Sequence, residues 1–397
     1  MTFCALSSAK GMDIKMKKIC FVTTVSITIK SFLLQFKDYL VDNDYDVTFI
    51  CNTDESMYEL CNERVHYIPV PMKRGVGLDG LSVINKLTKI FKENKFDIIQ
   101  YSTPNAALYA SIASKKAGCA NRLYCQWGIR YMGFDGGIKR MIFKQIEKIV
   151  CKKSSIIECE SNSIYKFSVA EKLYPASKAS VIWNGSACGV DLNKYLISQK
   201  DLWRKEIRSE LNIAEDVPVF GYVGRITRDK GANELLTAFR EVVKKKEAYL
   251  LMIGMFDDAN TIAEDLRSWA EKSKNVIFVE WTDKVEKYYS AMDVFCSLSY
   301  REGFGLVVIE AAAMGLPGIV TDVPGQVDTI EANVDGWSVP AKNVTKVVGT
   351  IEHCIDNPEE VKKFGYNARK HVEEKYEQHE LFKRLTEHRN SLCKAKK

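Results

Sequence analysis

Glu302 and Glu310 stand at two ends of the run REGFGLVVIE, eight residues apart. The pairs Glu55/Glu63 and Glu352/Glu360 share that spacing, so spacing alone carries no chemistry. Context separates them. Only Glu302/Glu310 follows a strand-like run, Asp293 to Leu298, and leads through Gly303, Phe304 and Gly305 into a helix-like run from Leu306 to Met314. A helix that begins at a tight glycine turn leaves its first N–H groups unpaired and its positive dipole end open, a setting for an anionic ligand. Glu302, in the loop, is placed to accept hydrogen bonds from hydroxyl groups. Glu310, about two helical turns on, is placed to hold a diol. Its neighbours Val307, Val308, Ile309 and Ala311 to Ala313 are apolar, and an acid in such company is rarely unpaired.

A second constellation lies upstream in VFGYVGRITRDKG, where a strand ends at Val223, Gly224 turns the chain, and Arg225 and Lys230 follow before Gly231. Two cations at the mouth of a sheet suit a diphosphate. Alone they would read as solvated loop charges; in the same domain as REGFG they read as a binding pair. GVGLDG at residues 75–80 formally matches a dinucleotide fingerprint, but it follows the third strand-like run and no acid ends the next one. It reads as a mobile loop lining the cleft. Asp42, Asp44 and Asp46 have Val47 where a calcium loop needs glycine and Thr53 where it needs its bidentate acid, so they mark a helix-to-strand turn. No metal site is expected.

The elements that must position these residues alternate between strand and helix, the pattern of parallel sheets with crossover helices. KKICFVTT, YDVTFICN, HYIPVP, FDIIQYS, RLYCQW and SSIIECES read as strands, with helices at Lys30 to Val41 and Leu81 to Asn94. Farther on, VPVFGYVG, YLLMIG, NVIFVE, DVFCSL and LPGIVTD are short apolar strands, as sheets covered on both faces require. The fold class is α/β, with two doubly wound Rossmann-like domains and the site in the cleft between them. The first spans residues 1–195, with 1–15 a flexible extension that has no sustained apolar region for a signal peptide. The second spans 196–375, and residues 376–397 form a charged helix, its pattern starting near Glu373, that returns to the first domain.

At 397 residues, 46% hydrophobic and 27% charged, the chain has the composition of a soluble globular protein. Twelve cysteines without a C-x-x-C pair fit a reducing cytosol, with Cys20, Cys51 and Cys296 as small buried hydrophobes. Residues 1–196 hold 27 Lys/Arg against 18 Asp/Glu, and residues 197–397 hold 30 against 33. The basic first half therefore faces something anionic. Within it, GIKRMIFKQIEKIVCKK sets Arg140, Lys144, Lys148 and Lys152 at four-residue spacing beside isoleucines, a basic amphipathic helix that reads either as a solvated outer face or as one suited to an acceptor or an anionic membrane surface. No nucleic-acid motif is present.

With these elements assembled, the chain resembles the GT-B glycosyltransferases of the retaining family 4 group, from about Lys17 to the C-terminal helix. GYVGRITRDKG, REGFGLVVIE, TDVPGQVDTI and VDGWSVP carry the resemblance. NRLYCQWGIRYMG, IKRMIFKQIEKIV, SSIIECES and WNGSACGVDLNKY are similar, more narrowly, to bacterial enzymes that extend lipid-linked oligosaccharides for capsule or O-antigen. The resemblance implies a UDP-sugar as co-substrate, no separate cofactor and no metal, and transfer with retention by a cytoplasmic protein peripheral to the inner face of the cytoplasmic membrane. It implies that Arg225 and Lys230 bind the donor diphosphate and stabilise departing UDP. Glu302, with the backbone of Gly303, Phe304 and Gly305, would hold the donor sugar, and Glu310 the ribose; Gly224 and Leu306 complete the donor site. Many relatives carry His-Gly where this chain has Trp127-Gly128, so the donor-sugar contact usually made by imidazole is missing or is replaced by stacking on Trp127. The loop TTVSITIK also lacks the glycines of many relatives. The rival readings are another GT-B sugar-nucleotide enzyme, such as an epimerase or a soluble-acceptor transferase, and a nucleotide-sugar-binding protein without turnover.

Overall fold

The computed structural model describes residues 16–72, 80–134, 136–257 and 261–394. The extension expected at 1–15 and all but the last residue of GVGLDG lie outside them. Seven strands form the first sheet: β1 (Lys17–Val22), β2 (Tyr45–Cys51), β3 (Val65–Pro69), β4 (Ile98–Tyr101), β5 (Asn121–Gln126), β6 (Ile156–Cys159) and β7 (Ala179–Val181). They lie parallel in the order β3-β2-β1-β4-β5-β6-β7. Around them run α1 (Ser26–Phe32), α2 (Leu34–Asp42), α3 (Gly80–Asn94), α4 (Pro104–Lys116), α5 (Gly137–Lys153) and α6 (Asn162–Ala170).

The second sheet comprises β8 (Val219–Val223), β9 (Tyr249–Ile253), β10 (Val276–Val279), β11 (Val294–Ser297), β12 (Gly318–Thr321) and β13 (Gly336–Val339). Its order is β10-β9-β8-β11-β12-β13, again all parallel. Its helices are α7 (Lys200–Glu210), α8 (Ala232–Val242), α9 (Glu264–Lys272), α10 (Val285–Ala291), α11 (Leu306–Ala313), α12 (Val344–Asp356) and α13 (Pro358–Lys375). The chain ends with α14 (Gln378–Lys394). In both sheets the strand order reverses once, between β1 and β4 and between β8 and β11. Loops leaving the two strands of a reversal diverge and open a crevice, so ligands gather there.

The expected fold class holds, with differences in detail. The helix read over Lys30 to Val41 is two helices broken at Leu33, which leaves helical geometry at φ −122°. Two strands were not expected: β7, which is only three residues long, and β13 in the run VDGWSVP. α13 runs to Lys375, so the last helix starts at Gln378 and not at Glu373. Asp42 closes α2 and Asp46 lies in β2, the helix-to-strand turn expected there. Cys20, Cys51 and Cys296 are fully buried in strands.

Strand side chains such as Phe21, Phe49, Ile99, Leu250 and Phe295 are at most 1% exposed, as strands covered by helices on both faces must be. α14 joins the core of the first domain: Leu381, Phe382 and Leu385 pack with Phe36 and Phe49. Beneath them Arg389 reaches Glu158 Oε1 at 2.8 Å and Gln100 Oε1 at 3.0 Å, and His388 Nδ1 lies 3.0 Å from Glu158 Oε2. Burial pushes the Glu158 carboxyl up, but Arg389 and His388 outweigh it and hold it at about 2. The two passages between domains lie side by side: Val190 N–H donates to Tyr376 O at 2.8 Å, and Gln378 N–H donates to Val190 O at 3.1 Å.

Candidate active site

Arg225 and Lys230 follow β8, and Glu302 and Gly303 follow β11, the two strands flanking the reversal in the second sheet. Topology thus brings together groups about 75 residues apart in sequence. Gly224 N–H donates to Ile253 O at 2.9 Å, and the Tyr222 hydroxyl donates to Arg225 O at 2.5 Å, fixing the turn. Lys230 Nζ lies 2.5 Å from Glu302 Oε1, which also accepts from Ser299 Oγ at 2.7 Å. Arg225 is more exposed and pairs with Asp257 at 2.6 Å.

Gly305, at φ 102°, takes the left-handed conformation that starts α11. Leu306 and Val307, in its first turn, line the cavity beside it. The Phe304 ring is 1% exposed and packs edge-on against Tyr376, so it anchors the turn in the core and leaves its backbone to face the cleft. Glu310 sits on the same cavity wall and accepts from the Tyr289 hydroxyl at 3.3 Å. Burial raises its carboxyl, opposed by bonds from Tyr195 and Tyr289. Gly303 owes its identity to close approach: a Cβ there would stand 2.9 Å from Gly128 N and from the Trp127 carbonyl carbon, and would also meet the Glu160 carboxylate.

Two cavities share this point. One, of about 590 Å³, takes in Arg225, Lys230, Glu302 and Glu310, with Trp127 and Glu160 from the first domain. The other, of about 370 Å³, lies between Thr103, Tyr124, Arg130 and Glu147 of the first domain and Asp229, Lys230, Arg301 and Glu302 of the second. Trp127, Gly303, Arg225, Lys230 and Glu302 line both. The Trp127 ring meets Phe32 edge-on at 5.5 Å. At the open side of the larger cavity, Trp281 and Met255 are strongly exposed although apolar.

The four cations of α5 divide. Arg140 donates to Tyr131 O and Phe134 O at 3.2 and 3.1 Å, and Lys144 pairs with Glu171 at 2.6 Å, so both are engaged within the domain. Lys148 is half-buried and Lys152 exposed. The helix's outward face is instead apolar, with Ile138, Met141, Ile142 and Ile149 between 41% and 72% exposed. Its inner face carries Glu147 to the smaller cavity, where it accepts from Tyr124 at 2.9 Å and Gln126 at 2.7 Å and burial raises its carboxyl.

Sequence reasoning missed Glu147, Glu160, Arg130, Arg301 and Trp281. An acid among apolar residues in SSIIECES and in the basic helix was a signal for the first two, by the argument applied to Glu310.

Residues 204–371 match the family Glycosyl transferases group 1, and residues 18–161 match Glycosyl transferase 4-like. The capsular polysaccharide biosynthesis glycosyltransferase CapM of Staphylococcus aureus is 30% identical, over 96% of this chain and 98% of its own. The Escherichia coli UDP-Gal:alpha-D-GlcNAc-diphosphoundecaprenol alpha-1,3-galactosyltransferase is 23% identical over 82% and 84%. Among solved structures, Anabaena HepE in complex with UDP shares the fold at a TM-score of 0.75 and 18% identity, over 95% of this chain and 100% of that one. With a relative this similar along nearly its whole length and a matching description for each domain, the chain belongs to the GT-B glycosyltransferases of the family 4 group.

Proposed function

We propose that the protein transfers a sugar, with retention, from a UDP-sugar to a polyprenyl-diphosphate-linked glycan during assembly of a surface polysaccharide. The observation that carries this reading is the joining of two cavities at Lys230, Glu302, Gly303 and Trp127. The larger brings together cations, acids and a helix N-terminus, the kinds of group that a nucleotide sugar requires. Exposed Trp281 and Met255 offer a surface for the base, Glu310 meets the ribose, Arg225 and Lys230 the diphosphate, and Glu302 with the α11 turn the sugar. The acceptor enters through the smaller cavity.

In the transfer, the bond from the sugar C1 to the β-phosphate oxygen breaks as the bond from C1 to the acceptor oxygen forms on the same face. The acceptor proton passes to the departing phosphate, whose charge Arg225 and Lys230 take up. The names of the S. aureus and E. coli relatives support a capsule or O-antigen type of product and a diphospholipid acceptor. No helix among the described residues is long and apolar enough to cross a membrane. α5 supplies the alternative, a peripheral contact: its apolar face lies on lipid at the inner side of the cytoplasmic membrane, Lys148 and Lys152 meet anionic headgroups, and its inner face borders the acceptor cavity.

Incubation with a panel of UDP-sugars tests the proposal. UDP is released only when polyprenyl-diphosphate-linked saccharide is added, and the new linkage keeps the donor's anomeric configuration. Release that ignores the lipid acceptor, or an inverted product, counts against it.

A further inference from the structure

Glu160 directly follows β6 at the mouth of the first sheet and is 8% exposed. Its carboxyl accepts from the backbone N–H of Ala187, and no ion pair reaches it among the described residues. A carboxyl shut away from water without a cation is costly unless something else occupies it. Its position is specific. It lines the larger cavity with Lys230, Glu302 and Glu310, does not line the smaller one, and presses on Gly303 so closely that no side chain fits between them. It therefore belongs to the nucleotide-sugar side, facing Glu302 from the opposite domain.

We propose that Glu160 is a donor-sugar contact, presenting its carboxyl to a hydroxyl group of the transferred sugar from the first-domain side of the cleft. This rests on the donor-site reading above and adds a residue from the domain that reading assigns to the acceptor. Glu302 and Glu160 then grip the sugar from opposite sides, so sugar selectivity depends on domain closure as well as on the α11 turn.

The surroundings fix the form in which Glu160 acts. Glu302 faces it from the loop before α11, with Lys230 bound to that acid. The thiols of Cys125 and Cys188 lie near, and Glu310 faces Cys188. On the inner side, Arg389 and His388 of α14 are taken by Glu158. Burial, then the Glu302 carboxylate, push Glu160 up to about 8 against the Ala187 N–H. Below that pH it is a neutral acid and can donate a hydrogen bond, which an ionised carboxylate cannot. Donation is lost as the pH rises through about 8.

Calorimetric titration of UDP and of UDP-hexoses and UDP-N-acetylhexosamines into wild type, Glu160→Gln and Glu160→Leu separates sugar contact from support of the fold. For the tightest-binding UDP-sugar, Glu160→Leu should lose about tenfold in affinity while UDP itself changes by less than about twofold. Glu160→Gln, a permanent donor of similar shape, should keep the sugar's contribution at about pH 6 and about pH 9, whereas wild type loses part of it at the higher pH. Equal losses for UDP and UDP-sugar in Glu160→Leu would assign Glu160 a structural role and overturn the proposal, as would unchanged binding of both. Failure of the wild type to bind UDP or any UDP-sugar would instead overturn the donor-site reading, and this inference with it.

Discussion

Lys230 and Glu302 hold each other in the free protein. A donor that places its diphosphate on Lys230 turns that cation away and frees the Glu302 carboxylate for sugar hydroxyls, so one exchange prepares both groups. Lys230→Ala and Glu302→Ala should each lower kcat/KM by about tenfold or more, equivalent to about 1.4 kcal/mol of transition-state binding. Steady-state rates at wild-type level in both would remove them from the site. On the proposed reading, Glu310 acts on the ground state. With its carboxyl held on the cavity wall by Tyr195 and Tyr289, Glu310→Ala should weaken UDP binding about tenfold, read by calorimetry, with a smaller effect on kcat. These residues could be picked out of the sequence because a strand, a glycine turn and a helix start are local patterns. For Glu160 the sequence offered only an acid beside an apolar run; its role could not be read there, because its neighbours Gly303 and Glu302 come from the other domain.

Among the elements, α5 carries the most consequence. Its amphipathic pattern was legible, but the division of labour among its cations was not. Which of them are free depends on Glu171 and on the carbonyls of Tyr131 and Phe134, partners that periodicity does not reveal. The exposed isoleucines, more than Arg140 and Lys144, now carry the membrane proposal. Ile138→Ser with Ile142→Ser should abolish co-sedimentation with vesicles containing anionic lipid, while Lys148→Glu with Lys152→Glu should weaken it and flatten its dependence on salt. Sedimentation unaffected by either pair would end α5's candidacy. The short strand β7 went unread for a different reason, since three residues hold too little periodicity to distinguish a strand from a loop.

At the scale of the molecule, α14 binds the chain's end to the first domain, so the second domain is tied to the first by two adjacent passages. The return itself was foreseen from the sequence; the buried anchor was not, since Arg389 and Glu158 lie 231 residues apart. Arg389→Met leaves Glu158 buried without its cation and should lower the unfolding free energy by about 3–5 kcal/mol in denaturant titrations. The depressed Glu158 carboxyl gives the pH sign: its contribution is present above the ordinary carboxylate range and is lost as the pH falls toward about 2. Wild type should therefore lose stability over that acid interval more steeply than Arg389→Met.

Both domains meet at the proposed donor site, and the most direct measurement there is the structure of the protein crystallised with UDP. The diphosphate should lie within about 3.2 Å of Arg225 and Lys230, the ribose hydroxyls on Glu310 and the base beside Trp281. A nucleotide bound elsewhere, or one whose diphosphate touches neither cation, would contradict the donor-site reading.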